Sequence, residues 1–517
     1  MASTNEPLTV GRHAEIHPDQ PAVIIDPAGD RISYSELERR SRQAARLIQA
    51  AKGGVALFMG NHLRFAEICW ASFRSGVYFT PVNVQLKVAE AAFVINDSGA
   101  RVVFTTSRQQ EVASRLRSEC PNVARWIMVD GAAPGFAPYE AAIGAFSDAP
   151  LFGEEEGSAM IYSSGTTGRP KGIQRPLTHL ASGSTLFGVS PTVADAYGLT
   201  GESVALITAP LYHSSGLTRL MMCLGLGASV VVMERFEAQG ALDAIERYRI
   251  THSLWVPTMF IRLLRLPERQ RKGADIGSMI GATLGSGPCS VSVKEAMIAW
   301  WGPIITETYG GTEGNGMTSI SSAEALDHPG SVGRPVFGEI HILDDDGKEV
   351  STGESGIVYF SGGRPFEYHN DPVKTASAYV KDGWSTLGDV GHLDAEGYLY
   401  LTDRAADLIV SGGVNIYPRE VEETLSQHPA VDDVAVIGVP NEEFSEEVKA
   451  IVVPAPAWPT DDLPRQLIDF CRERLAHYKC PRSVDLVEAL PRHRTGKLLK
   501  RELRARYQEM AAPSPRD

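Results

Sequence analysis

The sequence predicts an α/β protein whose large N-terminal part is built mainly from parallel sheets. Its 517 residues are enough for two or more domains and a substantial core. Short apolar segments typical of buried strands alternate with helical segments: residues 55–59 precede residues 62–75, and residues 102–104 precede residues 108–119. Because parallel strands are joined by helices that return the chain, this alternation predicts largely parallel, covered sheets.

Two later stretches depart from this pattern. Residues 353–402 are rich in glycine and contain short strands, which predicts a small β-rich subdomain. Further on, the apolar segments 434–439 and 449–453 indicate a compact unit with its own core. We therefore predict one domain of residues 1–403 and a second of residues 404–517.

Composition argues against several kinds of partner. The net charge is −14 and basic residues form no stripe, so nucleic acid is not an expected partner. The N-terminus lacks the basic and apolar regions of a signal peptide, and apolar runs such as residues 228–233 are too short to cross a bilayer. The six cysteines are scattered, which favours neither a zinc site nor a disulfide framework. We expect a cytoplasmic protein without a stable membrane anchor.

The most informative motif is a loop rich in hydroxyls and glycine. It follows the apolar segment 159–161, which we predict to be a buried strand. Glycines let several backbone N–H groups point at one spot, and the hydroxyls and Lys171 add donors and charge, so the loop suits a nucleotide triphosphate. It is not a Walker A loop, because Lys171 precedes Gly172 instead of Ser or Thr. The predicted phosphate-binding residues are Ser163, Ser164, Gly165, Thr166, Thr167, Gly168 and Lys171.

This loop and several later motifs resemble, in the same order, those of the adenylate-forming enzymes. That superfamily comprises acyl-CoA synthetases, peptide-synthetase adenylation domains and beetle luciferases. The resemblance runs from about residue 30 to about residue 504, and residues 297–303 and 411–418 look most like bacterial fatty-acyl and aryl acid–CoA ligases. It implies a small, mobile α+β lid as the C-terminal domain, an active site between the domains, and ATP, Mg²⁺ and CoA as ligands.

The resemblance assigns roles within a second glycine-containing motif. Tyr309 would stack on adenine, and Thr312 would contact the α-phosphate. Glu313 would hold Mg²⁺ together with Thr167, a role that suits a carboxylate because Mg²⁺ prefers oxygen ligands. Glu307 would accept a hydrogen bond from the adenine amino group.

Further nucleotide contacts are implied by three other segments. Asp389 would accept hydrogen bonds from the ribose hydroxyls, and Arg404 would contact ribose and phosphate. The other implied nucleotide-binding residues are Gly285, Ser286, Gly287 and Gly310. For residues 285–288 an ordinary loop explains the sequence equally well.

The remaining assignments concern catalysis and lid movement. Lys497 would bridge the substrate carboxylate and the α-phosphate as a compact positive charge. His213 would lie at the carboxylate end of the acyl pocket, although a core histidine is an equally good explanation. Gly412 and Gly413 would face the CoA arm, and Ala406 stands at the hinge of the lid.

These assignments predict an acid–CoA ligase that forms an acyl-adenylate and then a thioester. We expect a bulky apolar carboxylic acid as substrate, because glycines near the acyl channel would leave it wide. They are Gly285, Gly287, Gly310 and Gly311. The open alternatives are an enzyme that loads a carrier protein, a luciferase-type oxygenase and a non-catalytic nucleotide-binding module.

Three departures from the superfamily pattern add one more alternative. Ser286 and Gly287 replace two alanines, Leu387 replaces a threonine of the ribose motif, and Ala406 replaces a polar hinge residue. All three touch nucleotide positioning or lid switching. The alternative is a protein that carries out only the thioester half-reaction and depends on a partner enzyme for the adenylate.

Overall fold

The structure of the protein is a computed structural model. It describes residues 8–163, 170–187, 191–344, 346–380, 383–404, 407, 409–411, 414–441, 445–456, 458–475, 477–492 and 498–511. The predicted α/β class is confirmed in the elements that follow.

Helices and strands alternate through the first 150 residues. These elements are α1 (Val10–Ile16), β1 (Pro21–Asp26), β2 (Arg31–Ser33), α2 (Tyr34–Ala51), β3 (Gly54–Phe58), α3 (Leu63–Phe73), β4 (Tyr78–Pro81), α4 (Val88–Asp97), β5 (Ala100–Thr105), α5 (Gln110–Glu119), β6 (Arg125–Met128), β7 (Ala137–Pro138) and α6 (Tyr139–Gly144). The strand–helix pairs predicted from residue 55 and from residue 102 correspond to β3–α3 and β5–α5.

The alternation continues through the middle of the chain. Its elements are β8 (Ser158–Ala159), β9 (Ile161–Ser163), β10 (Lys171–Gln174), α7 (Pro191–Ala196), β11 (Val204–Ile207), α8 (Ser214–Leu226), β12 (Ser229–Met233), α9 (Ala238–Tyr248), β13 (His252–Trp255), α10 (Pro257–Leu264), α11 (Glu268–Gly273), β14 (Gly281–Leu284), α12 (Val291–Trp301), β15 (Ile305–Gly310), β16 (Met317–Ser321), α13 (Ser322–Asp327) and β17 (Arg334–Phe337).

One strand prediction in this stretch is wrong. The apolar segment 159–161 is not a single strand, because the chain passes there from one sheet to another. Strand β8 pairs with β4, whereas β9 pairs with β10. Between them, the Met160 amide donates to the Phe79 carbonyl at 2.9 Å, so the backbone stays hydrogen-bonded at the crossing.

Short antiparallel strands follow, as the glycine-rich composition predicts. The elements are β18 (Glu339–Leu343), β19 (Gly356–Ser361), β20 (Glu367–Tyr368), α14 (Pro372–Ser377), β21 (Ser385–Leu393) and β22 (Leu399–Arg404). Four of them form a sheet in the order β18-β19-β21-β22. This β-rich subdomain begins at Glu339, earlier than the predicted residue 353.

The last part of the chain forms a smaller α+β unit. Its elements are β23 (Ile409–Ser411), β24 (Val414–Ile416), α15 (Pro418–Ser426), β25 (Val431–Asn441), β26 (Ser445–Pro454), α16 (Leu463–Arg472), β27 (Ser483–Leu486) and α17 (Lys500–Ala511). Its strands lie in the order β24-β23-β26-β25, with β27 beside β26. The domain boundary after residue 403 and the mobility of this unit stay predictions.

Two large sheets dominate the N-terminal part. The nine-stranded sheet has the order β17-β16-β15-β14-β13-β11-β12-β1-β2, and its six strands from β15 to β1 are parallel. The six-stranded sheet, β7-β6-β5-β3-β4-β8, is parallel throughout. Ligands of such sheets bind beyond the carboxyl ends of the parallel strands, which points to the segments after β11, β14 and β15. No helix in the described ranges has the length and apolarity needed to cross a membrane.

Helix α8 connects the predicted site to the core. It begins at Ser214, directly after His213, and ends where Gly227 adopts a left-handed φ of 88°. The Gly227 amide then donates to the Leu224 carbonyl at 3.3 Å and closes the helix. Most of α8 is buried, including the side chain of Arg219.

All six cysteines are buried thiols. They are Cys69, Cys120, Cys223, Cys289, Cys471 and Cys480. Burial raises the pKa of Cys120 and Cys223 to about 11, and that of Cys289 and Cys471 to about 12. A thiolate is disfavoured where water cannot solvate its charge.

Candidate active site

Predicted site residues from distant parts of the chain meet at one edge of the nine-stranded sheet. Tyr309 is near the end of β15, with Thr312 and Glu313 just beyond it, and Asp389 comes from β21. Several predicted residues lie outside the described residues. They are Ser164, Gly165, Thr166, Thr167, Gly168, Ala406, Gly412, Gly413 and Lys497. Their assigned roles stay predictions.

The two ends of the predicted phosphate loop are neighbours. Ser163 and Lys171 pair across the antiparallel strands β9 and β10. Gly172 leaves no room for a side chain, because a Cβ there would lie 2.9 Å from the Tyr162 ring. Burial, with a smaller contribution from nearby Lys374, lowers the pKa of Lys171.

A tyrosine that the sequence analysis missed holds the predicted metal ligand. The Tyr368 hydroxyl donates to Glu313 Oε1 at 2.9 Å. The Lys171 ammonium lies 5.8 Å from the centre of the same ring, a cation–π distance. Tyr368 therefore links the phosphate loop to Glu313. No motif marks it, since it belongs to a short strand 55 residues from Glu313.

An arginine behind Thr312 fixes the backbone of this motif. Arg175 Nη2 donates to the Thr312 carbonyl at 2.5 Å, and its Nε donates to the Glu313 carbonyl at 3.4 Å. Burial and the charge of Arg175 together lower the pKa of Arg364 to about 10. The Arg364 amide donates to the Gly314 carbonyl at 3.4 Å, so both arginines contact this motif. Their positive charges favour an anion here and are partly offset by Glu313 and Glu156.

The side chain of Thr312 has a second neighbour. Its Oγ1 lies 3.1 Å from Ser214 Oγ, at the first residue of α8. The ring of His213 precedes this helix and packs 4.7 Å from the ring of Tyr212. The structure therefore brings His213 and Thr312 to the same end of α8, with Ser214 between them. The assigned role of His213 at the acyl pocket stays a prediction.

The predicted adenine and ribose residues are directly hydrogen-bonded. The Tyr309 hydroxyl donates to Asp389 Oδ2 at 2.7 Å, although the two residues are 80 positions apart. Asp389 also pairs across β21 and β22 with Arg404, whose backbone is described. Leu387, a departure from the superfamily pattern, packs so closely on Gly311 that a Cβ there would lie 2.7 Å from it.

The residues predicted to form the adenine wall are held in an unusual conformation. Ser286 has a φ of 67°, in the left-handed region that non-glycine residues rarely adopt. Its neighbour Gly285 donates its amide to the Trp255 carbonyl at 3.1 Å. Backbone strain of this kind clusters at ligand sites.

The carboxylate of Glu307 has a partner that the sequence analysis did not anticipate. It forms a buried ion pair with Lys294 of α12, and both side chains are 6% exposed. Because Lys294 already neutralises this carboxylate, adenine would meet an ion pair and not an isolated charge. The contact between Glu307 and the adenine amino group stays a prediction.

The glycines that were expected to widen the acyl channel are mostly needed for close packing. A Cβ at Gly310 would lie 2.9 Å from the Gly316 carbonyl, and one at Gly285 would lie 3.1 Å from Thr308 Oγ1. A Cβ at Gly311 would lie 2.7 Å from the Leu387 side chain. At Gly287 the nearest atom would be 3.9 Å away, so only this glycine of the four leaves open space.

The described residues fit a magnesium nucleotide. Glu313 offers carboxylate oxygen to a hard cation, and Lys171, Arg175 and Arg364 supply positive charge for phosphates. Asp389 offers an acceptor for ribose hydroxyls beside the Tyr309 ring. Groups of three or more residues of the metal-binding types are absent from the described ranges, as is usual where Mg²⁺ is shared with substrate phosphates.

Two family models match this chain. The model described as AMP-binding enzyme matches residues 10–367, and that of the AMP-binding enzyme C-terminal domain matches residues 420–497. Together they include the motifs around residues 163–171, 285–288 and 307–313, part of the β-rich subdomain and much of the C-terminal unit, whereas Asp389 and Arg404 lie between the two matches.

Individual relatives span nearly the whole chain. A feruloyl-CoA synthase from Amycolatopsis is 33% identical over 96% of this chain and 98% of its own. The long-chain-fatty-acid–CoA ligase FadD13 of Mycobacterium tuberculosis is 32% identical over 93% of this chain and 95% of its own. The crystal structure of ATP-bound MatB from Rhodopseudomonas palustris superposes with a TM-score of 0.84 at 28% identity, covering 98% of this chain and 100% of that one.

Proposed function

The chain belongs to the AMP-binding enzyme family, and on that premise we propose that it is an acid–CoA ligase for a carboxylic acid with a bulky, largely apolar body. The observation that carries the proposal is the hydrogen bond between Tyr309 and Asp389, which joins the predicted adenine and ribose residues beside Thr312 and Glu313. The two relatives above, a feruloyl-CoA synthase and a long-chain-fatty-acid–CoA ligase, support the chemical class of the acid.

The reaction proceeds in two balanced steps. First, a carboxylate oxygen of the acid attacks the α-phosphorus of ATP; the bond to pyrophosphate breaks, and an acyl-adenylate forms. Second, the CoA thiolate attacks the acyl carbon, and AMP leaves as a stable phosphate monoester. The first step is demanding because two anions must approach each other, so the site must supply positive charge.

The described residues of the candidate site each have a part in the proposed chemistry. Asp389 and Tyr309 orient the nucleoside, and Thr312 with Ser214 places hydroxyl groups at the reacting end. Mg²⁺ would be held by Glu313 and phosphate oxygens, where it neutralises charge on the phosphates. Arg175 keeps the Thr312–Glu313 backbone in place through its two carbonyl contacts.

Two properties distinguish this proposal from its alternatives: the thiol that accepts the acyl group, and the relative rates of adenylate formation and thioester formation. The test measures ATP–pyrophosphate exchange over a panel of fatty, aryl and polycyclic acids, with acetate and amino acids as controls. It then measures thioester formation with CoA, with a phosphopantetheinyl carrier protein, and from synthetic acyl-adenylate.

Exchange with an apolar acid, followed by efficient transfer to CoA, is the expected result. Fast transfer from acyl-adenylate without exchange would instead establish the split reaction, and preference for the carrier protein would establish a loading enzyme. If no acid supports exchange and no acceptor yields a thioester, the ligase proposal fails.

A further inference from the structure

Arg219 is a buried cation that pairs with no carboxylate in the described part of the chain. It is 4% exposed and lies halfway along α8. Its Nη2 donates to Thr283 Oγ1 at 2.8 Å, and its guanidinium stacks 4.3 Å from the centre of the Tyr197 ring. The other terminal nitrogen, Nη1, is buried and has no hydrogen-bond partner.

The other arginines buried in the described part of the chain form ion pairs with glutamates. Arg40 pairs with Glu67 and Glu140, and Arg74 pairs with Glu38 and Glu154. The N–O distances of these four ion pairs are 2.8–2.9 Å. Arg219 has no ion pair with any carboxylate in the described ranges, although a buried charge without a partner is costly.

Among the described residues, the neighbours that contact Arg219 supply no negative charge. Thr283 is a neutral acceptor, and the Tyr197 hydroxyl donates to Met317 Sδ at 3.4 Å. Burial, with a smaller effect of the Arg219 charge, lowers the pKa of nearby His252, which therefore stays neutral. A guanidinium carries five donors, so Arg219 has capacity left for an acceptor from outside the chain.

The position of Arg219 connects it to the reacting end of the site. Ser214, which contacts Thr312, begins the helix on which Arg219 lies five residues further along. At 1.5 Å per residue this is about 7.5 Å along the helix axis. Thr283 belongs to β14, directly before the segment predicted to form the adenine wall. The side chain of Arg219 therefore extends from α8 to β14, close to the reacting end of the site.

We propose that Arg219 binds a second carboxylate at the far end of the acyl substrate, so that the enzyme selects dicarboxylic acids. The inference rests on the proposed ligase function, in which the first carboxylate reacts beside Thr312. A carboxylate completes the site better than a neutral acceptor does, because it offers both an acceptor for Nη1 and the missing counter-charge. The body between the two carboxylates stays largely apolar, an alkyl chain or a ring, as in the proposed function.

The test compares acids that differ only in the far carboxylate. The probes are octanoate against suberate, and 4-ethylbenzoate against 4-(carboxymethyl)benzoate. We measure kcat/KM for acyl-CoA formation and, independently of turnover, calorimetric binding of each acid to the protein. The enzymes are the wild type, Arg219→Met, Arg219→Lys and the control Arg262→Met, which makes the same change at an exposed position of α10.

The wild type is expected to favour a diacid over its matched monoacid by at least about tenfold. Arg219→Met should lose about a hundredfold in kcat/KM on the diacid, as for removal of one partner of a buried charge pair, and keep its activity on the monoacid. Arg219→Lys should retain part of the preference, and Arg262→Met should behave as wild type.

Other outcomes overturn the inference in distinguishable ways. Preference of the wild type for the monoacid in both pairs, with active thioester formation, would refute the second-carboxylate site and leave the ligase function standing. Equal loss on both acids in Arg219→Met would assign the arginine a structural role only. If Arg219→Met does not fold, the wild-type preference and the Arg219→Lys variant decide. If no acid reacts, the ligase proposal fails, and the calorimetric comparison alone decides whether Arg219 binds a second carboxylate.

Discussion

Tyr309 and Asp389 belong to different sheets, yet the hydroxyl of the first donates to the carboxylate of the second at 2.7 Å. This bond joins the end of β15 to the β-rich subdomain. It holds an aromatic ring next to an acceptor for vicinal hydroxyls, the combination that a nucleoside needs.

Removal of this acceptor should weaken nucleotide binding. We expect Asp389→Ala to raise the KM for ATP by about 10- to 100-fold, since a hydrogen bond to a charged group contributes about 1.5–3 kcal/mol. Tyr309→Phe keeps the ring and should have a smaller effect in the same direction. The measurement is the KM for ATP in pyrophosphate exchange, with the exposed Asp346→Asn as control. An unchanged KM in Asp389→Ala would contradict the ribose assignment.

The lid lysine should matter for one half-reaction only. We expect Lys497→Ala to lower the rate of adenylate formation by about 100- to 1000-fold, equivalent to about 3–4 kcal/mol of charge stabilisation at the α-phosphate. ATP binding and thioester formation from supplied acyl-adenylate should survive. Lys348→Ala, at an exposed lysine, is the matched control. Equal loss of both half-reactions would show that Lys497 is not specific to the first.

The Tyr368 hydroxyl should tune the metal requirement. Tyr368→Phe removes its donation to Glu313 Oε1 without changing the ring beside Lys171. The Mg²⁺ concentration for half-maximal exchange should rise by about tenfold, because the carboxylate loses the bond that orients it. The control is Tyr359→Phe on β19. A metal requirement equal to that of the wild type would remove Tyr368 from the site.

Alkaline pH should weaken ATP binding earlier than an ordinary lysine would predict. Burial and Lys374 lower the pKa of Lys171, so its ammonium loses its proton, and with it the attraction to phosphate, at a lower pH than usual. Lys374→Met removes the neighbouring charge and should raise the pKa of Lys171. The alkaline limb of the KM–pH profile should then move to higher pH. A limb that does not move in Lys374→Met would show that Lys171 does not set it.

The sequence predicts the motif residues of the candidate site better than it predicts the residues that hydrogen-bond to them. The superfamily resemblance assigns roles to Tyr309, Glu313 and Asp389, because each belongs to a local motif that can be recognised in a few residues. Arg175 and Tyr368 carry no such signal: their roles arise only when β10, β20 and the segment after β15 meet in the folded chain.

The fold was predictable for a related reason. The alternation of β3–α3 and β5–α5 is a local pattern, whereas the division of the segment around Met160 between two sheets depends on the neighbouring strand β4. Likewise, glycine at 310 and 311 suggested an open channel, but a Cβ at Gly310 would meet the backbone carbonyl of Gly316, and one at Gly311 would meet the side chains of Leu387 and Glu313.

The burial of all six thiols has a practical consequence for measuring this enzyme. Disulfide reagents such as 5,5′-dithiobis(2-nitrobenzoate) react with thiolates, and here burial both blocks access and raises the thiol pKa. In the native protein the yellow product should therefore come only from the sulfhydryl of added CoA. Samples taken during turnover should give less of this product as free CoA is consumed. Unfolding in guanidinium should release six further equivalents, and the difference between the two readings gives a simple assay of how much of a preparation, or of any variant above, is folded.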